Sequence, residues 1–114
     1  MAITVNTQSQ AGGVVNFATG VLTNDAGGAV AVVLNVGFDP RTFRIMNVTD
    51  SISYEWNAGM TNPGATKQVL AGTRSLQTTE GPTMGTAALG TLGQISIPAT
   101  IILASKTFVW EATT

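Results

Sequence analysis

The chain has 114 residues, 44% of them apolar and only 10% charged, with no histidine and no cysteine. Its five basic and six acidic side chains leave a net charge of −1. That composition excludes imidazole and thiolate metal sites, His- or Cys-dependent triads and disulfide frameworks, and it lacks the clustered basic face that nucleic acid requires.

A chain of this length is expected to form one domain, 1–114, that buries its own core without metal or disulfide support. Helical spacing is poor throughout. Instead, β-branched residues alternate in short runs separated by Gly, Asn, Asp and Pro, which is the pattern of strands and turns. The first residues show no basic stretch leading into a long apolar core, so no signal peptide is expected. The densest apolar run, 29–34, is too short to cross a bilayer, and no membrane partner is expected. Asn47-Val48-Thr49 fits the glycosylation pattern but is read as coincidence without a secretion signal.

Ile3 and Val5 predict an opening strand, and Val14, Val15 and Phe17 a second. Asn24-Asp25 ahead of Gly27-Gly28 marks a turn. Together, 1–28 reads as an N-terminal strand followed by a flexible Gly-rich arm. The clearest period-two run comes next, with Val30, Val32, Leu34, Val36 and Phe38 on one face. Ala29, Ala31, Val33, Asn35 and Gly37 form a second face, small enough to be covered by another layer. This strand is expected to anchor the fold, with 29–57 as its core strand and hairpin. Asp39-Pro40 ends it, because proline removes a ladder donor.

Residues 42–57 predict a hairpin in which Phe43 faces Trp56, Arg44 faces Glu55 and Ile45 faces Tyr54. Its core face collects Phe43, Ile45, Ile52, Tyr54 and Trp56. The other face collects Arg44, Met46, Ser53 and Glu55, with Arg44 and Glu55 as a cross-strand ion pair. A one-residue slip would invert both faces, so the register is strongly specified. Either a two-residue turn at Thr49-Asp50 or a four-residue loop over 48–51 preserves it.

A loop over 58–66 follows, then two short strands about Gly72 within 67–79, anchored by Val69 and Leu76. The low-charge Gly/Thr/Ala stretch 80–93 reads as a long loop or arm. Ile95 and Ile97 alternate before Pro98. Ile101 precedes a turn near Ser105-Lys106, and Phe108, Val109 and Trp110 make the last strand. The expected fold is all-β: a single-domain antiparallel β-sandwich or partly closed barrel with Gly/Thr-rich arms or loops.

The remaining chemistry belongs to Asp25, Asp39, Asp50, Glu55, Glu80 and Glu111. Asp50 and Glu55 stand about 17 Å apart along a strand, too far for a glycosidase pair. Glu55 and Glu111 each adjoin a tryptophan and could approach across a sheet. Both read more simply as solvent-side residues alternating with buried aromatics. The Gly-rich 81–90 lacks the Lys-Ser/Thr ending of a phosphate loop, and no acidic pair is close enough for calcium. No catalytic residue, metal or cofactor is expected, and the chain does not read as an enzyme. Tyr54, Trp56 and Trp110 would suit a sugar-stacking face, making a glycan-binding module the alternative, although their alternation places them in the core.

One order of residues carries a resemblance. Pro40-Arg41, Arg44-Ile45-Met46-Asn47-Val48-Thr49-Asp50, Tyr54-Glu55-Trp56 and Gly59-Met60, with Phe108 and Trp110 on a late strand, resemble small head-module virion proteins of tailed bacteriophages. The resemblance covers about a fifth of the chain and marks a hairpin, so no binding residue is carried over. It implies a capsid decoration or cement protein on the virion exterior, made in the host cytoplasm. The implied partners are the major capsid protein, clamped by β-augmentation and apolar contacts, and the chain itself as a trimer or dimer. A tail or head-fibre component is the alternative within that class. The low charge agrees, since a neutral surface is covered by neighbours without desolvating ions. In this reading the segments 7–28 and 80–93 are arms that order on the shell.

Overall fold

The computed structural model describes residues 16–60, 62–86 and 88–114, so the strand expected at Ile3 and Val5 lies outside the described residues, as do Val14 and Val15 of the second, whose Phe17 opens the first described strand. Among the described residues the strands are β1 (Phe17–Thr23), β2 (Val32–Asn35), β3 (Thr42–Asn47), β4 (Ile52–Asn57) and β5 (Ala65–Gln68). They continue with β6 (Arg74–Gln77), β7 (Thr83–Met84), β8 (Gln94–Ile97) and β9 (Thr107–Thr113). A six-stranded sheet runs β1-β9-β3-β4-β5-β6, and a three-stranded sheet runs β2-β8-β7. Every pairing is antiparallel. The result is an all-β, sandwich-like fold rather than a closed barrel.

The β3–β4 hairpin has the register its side chains demand: Phe43 opposite Trp56, Arg44 opposite Glu55, Ile45 opposite Tyr54. Phe43, Ile45, Tyr54 and Trp56 are buried, Ile52 is half-buried, and Arg44 faces solvent. β9 lies between β1 and β3, and brings Phe108 and Ala112 to the same inner face. Met84, Ile95 and Ile97 from the small sheet close over them. Ile101 and Ile102, on the turn after Pro98, complete the cluster. The Trp110 ring lies 6.4 Å from that of Phe43 at a 37° tilt, within the range of favourable aromatic pairs.

The hairpin turns without glycine because Asn47 organises it. Asn47 is 2% exposed, and its Oδ1 accepts from the Thr49 and Asp50 amides, each at 3.0 Å. Its Nδ2 donates to Asp50 Oδ2, an Asx-type turn that leaves Ser51 at φ 57°. The loop is then latched to the start of β9. Lys106 Nζ sits 3.1 Å from Asp50 Oδ1, and the Thr107 amide donates to Thr49 Oγ1. A side chain so engaged is no glycan acceptor, which gives the Asn-x-Thr-Asp run a structural role. Asn47→Ala removes the acceptor of the two loop amides and should cost about 1 kcal/mol, within the range for losing an Asn side chain that caps backbone N–H groups. Chemical denaturation reads the loss directly.

Four expectations change. Residues 30–38 alternate as predicted, with Val32, Leu34, Val36 and Phe38 packed against the core. Only Val32–Asn35 pairs, however, and β2 is an edge of the small sheet, with Val30 45% exposed and Val33 60% exposed. Period two assigns a face but not a number of neighbours, and the anchoring strand is β9. Leu76 anchors nothing: it projects outward and is 68% exposed. The arm assigned to 1–28 contains β1, which pairs with β9 along its whole length.

The arm assigned to 80–93 is docked, with Gly81, Pro82, Met84 and Gly93 buried. The Asn62 side chain grips Met84, accepting from its N–H at 2.9 Å and donating to its carbonyl at 3.1 Å. Gly81 and Gly85 serve close backbone approach rather than freedom. A Cβ on Gly81 would collide with the Gly64 carbonyl, and one on Gly85 with the Thr91 carbonyl.

Candidate functional site

Antiparallel partners project to the same side of a sheet, so the registers define the outer face of the six-stranded sheet row by row. The central row reads Thr19, Glu111, Arg44, Glu55, Thr66, Leu76. The row beside it reads Val21, Val109, Met46, Ser53, Gln68, Arg74. On the other side run Phe17, Thr113, Thr42 and Asn57.

The charges on this face are grouped. Arg44 stands between Glu111 on β9 and Glu55 on β4, with Nε 3.5 Å from Glu55 Oε1. Both side chains of that pair are about half exposed (50% and 47%), so water screens the attraction. Glu55→Gln should therefore cost less than about 1 kcal/mol in a denaturation experiment. The two glutamates share a row of the sheet but do not meet, because β3, carrying the Arg44 guanidinium, stands between them. Three shallow hollows of about 230, 210 and 290 Å³ open on this face, and all share Arg44. Among the described residues no group of three His, Cys, Asp or Glu side chains is placed to hold a metal ion.

Apart from Glu111 and Arg44, the β1–β9–β3 end of the face is apolar and hydroxyl-bearing. Phe17, Val21 and Val109 are 58%, 72% and 40% exposed. Threonines surround them: Thr42 and Thr113 share a short hydroxyl contact, and Thr23 Oγ1 lies 3.4 Å from Thr107 Oγ1. The aromatic trio proposed as a sugar platform points the other way. Tyr54 and Trp56 are 6% and 7% exposed, and Trp110 packs over Gly20 on the inner face. Lys67 Nζ stands 5.6 Å above the Tyr54 ring, so that ring already carries a cation.

Sequence reasoning missed β1 as part of this surface. The available signal was the alternation within Phe17-Ala18-Thr19-Gly20-Val21-Leu22-Thr23. Small Ala18 and Gly20 and apolar Leu22 face inward there, while Phe17, Thr19 and Val21 face out. Gly20 is required because a Cβ would lie 2.7 Å from the Trp110 ring.

Comparison with known protein families, curated proteins and solved structures finds no match for the chain.

Proposed function

We propose that this chain is a structural subunit of a bacteriophage virion that decorates the assembled head shell, binding the major capsid protein and reinforcing the lattice. The observation that carries the reading is the outer face of the six-stranded sheet. At its β1–β9–β3 end, exposed Phe17, Val21 and Val109 lie among threonines, with Arg44 and Glu111 in the row between Phe17 and the two valines. Val21 and Val109 lie directly opposite one another, and exposed apolar side chains gathered on one face mark an interaction site. Covering it with a capsid surface buries apolar area while desolvating few ions. The resemblance of the hairpin's residue order to head-module proteins points toward the same reading.

Reinforcement then needs no turnover. A protein that binds only the assembled lattice stabilises it in proportion to the logarithm of its concentration over its dissociation constant. The glycan-binding alternative loses its platform, since Tyr54, Trp56 and Trp110 are inner-face residues.

The test uses shells prepared without this chain, with purified protein added back. Addition should raise the temperature and the osmotic shock at which the shells rupture. Val109→Asp, a change on the exposed face, should fold normally and fail to attach. Equal resistance with and without the chain would reject the reinforcing role. Attachment in a few copies rather than hundreds would move the protein to a tail or head-fibre position.

A further inference from the structure

β1 is the long outer edge of the six-stranded sheet, and its backbone polarity follows from bonds just beyond its ends. The Asn24 amide donates to Lys106 O, and the Thr114 amide to Asn16 O. Both pairs continue the β1–β9 register, so the even-numbered residues of β1 exchange hydrogen bonds with β9. The odd-numbered residues Phe17, Thr19, Val21 and Thr23 direct one N–H and one C=O each away from the sheet. Among the described residues none of these eight groups has a backbone partner.

Natural edges are usually short, charged or interrupted by proline, because an open row of donors and acceptors templates pairing. β1 has none of these protections. It is seven residues long and carries no charge and no proline. The other edge strands, β6, β2 and β7, have four, four and two residues, and β6 carries Arg74.

We propose that two copies of this chain pair β1 with β1 about a two-fold axis at Gly20, joining their six-stranded sheets into one continuous sheet. The strand is self-complementary in that register. Phe17 of one copy faces Thr23 of the other, Thr19 faces Val21, and Gly20 faces Gly20. Odd residues then meet odd residues, so all four outward N–H groups and all four outward carbonyls of each copy are satisfied. With no charge on the strand, identical copies meet without like-charge repulsion. The Val21–Val109–Met46 row of one copy continues into the Thr19–Glu111–Arg44 row of its partner, extending the neutral face across the axis. A strand pair alone buries less than the roughly 1,600 Å² of a standard interface, so the free dimer should be concentration-dependent.

The test is made on the isolated full chain, so its failure leaves the shell reading standing, and failure of shell attachment leaves the dimer standing. Analytical ultracentrifugation should show a reversible shift from one chain mass to two. Hydrogen exchange should protect the even amides of β1 at every concentration. The amides of Phe17, Thr19, Val21 and Thr23 should gain protection only as the dimer forms. Thr19→Lys combined with Val21→Lys places lysine against lysine twice and should weaken the dimer at least tenfold. Thr19→Lys combined with Val21→Glu places lysine against glutamate in the same register and should restore it.

Several outcomes would overturn the proposal. One is a single-chain mass at all concentrations, with the odd amides freely exchanging. Another is odd amides protected at single-chain mass, which would assign the edge to residues 1–15 of the same chain. A dimer indifferent to the double-lysine change would place the contact elsewhere. Loss of the dimer in the lysine–glutamate variant would reject the axis at Gly20.

Discussion

Phe108→Ala is expected to lower stability by about 3–5 kcal/mol, a large part of the 5–15 kcal/mol available to a domain of this size. Phe108 has no exposed surface and sits on β9, the strand flanked by β1 and β3. Its ring belongs to the cluster joining the two sheets, so truncation opens a cavity where neither sheet can collapse independently. The adjacent Val109 provides the control. It points outward from the same strand at 40% exposure, and Val109→Ala should change stability by no more than about 0.5 kcal/mol. At a urea slope of about 1.5 kcal/mol per M, a 4 kcal/mol loss moves the midpoint by about 2.7 M. Equal losses in the two variants would contradict the assignment of inner and outer faces.

The contrast between neighbouring residues shows what was legible before the structure. Side-chain alternation reports which face a residue takes, so the hairpin from Thr42 to Asn57 and the inward aromatics were readable to the register. The all-β class followed from the same signal. Neighbour relations were not readable, because they depend on pairings between segments far apart in the chain. The strongest alternating run was therefore expected to anchor the fold, yet β2 is an edge strand. The weakly patterned β1 instead became part of the large sheet, pairing with residues more than eighty positions away. The charge row Glu111–Arg44–Glu55 was half legible: the hairpin supplied Arg44 and Glu55, whereas Glu111 arrives through the β3–β9 register.

Glycine misled most, because one residue type serves two opposite purposes. Where the backbone takes a positive φ in open space, as at Gly72 (φ 89°), glycine relieves strain in a turn. Where two backbones touch, it removes the Cβ that would keep them apart. Composition cannot separate these uses, so a Gly/Thr-rich stretch looks like an arm whether it is loose or tightly seated. The segment 80–93 is of the second kind, held by the Asn62 side chain, by buried Pro82 and by the short β7–β8 ladder.

Gly85→Ala separates the two purposes and should be among the most damaging single-methyl additions to this protein. Gly85 has no positive φ, so alanine's backbone preference adds no penalty, and the cost comes from space alone. The new Cβ would meet the Thr91 carbonyl, with Gln94 O a further 3.0 Å contact. Both obstacles are backbone, and they cannot swing aside as a side chain would. The same backbone holds a ladder: the Gly85 amide donates to Gln94 O at 2.8 Å, next to the pairing of Met84 with Ile95. Making room therefore breaks the β7–β8 edge and withdraws Met84 from the core. A cost of about 3 kcal/mol or more is expected, at or above the upper end for overpacking. Gly72→Ala, with nothing near its Cβ, should cost about 1–2 kcal/mol from conformation alone. Hydrogen exchange discriminates further, since Gly85→Ala should deprotect the small sheet selectively while β3 and β9 retain protection near the lowered global limit. Equal costs for the two substitutions would mean that 80–93 is a loose arm after all, and the close backbone contact at Thr91 would have no energetic meaning.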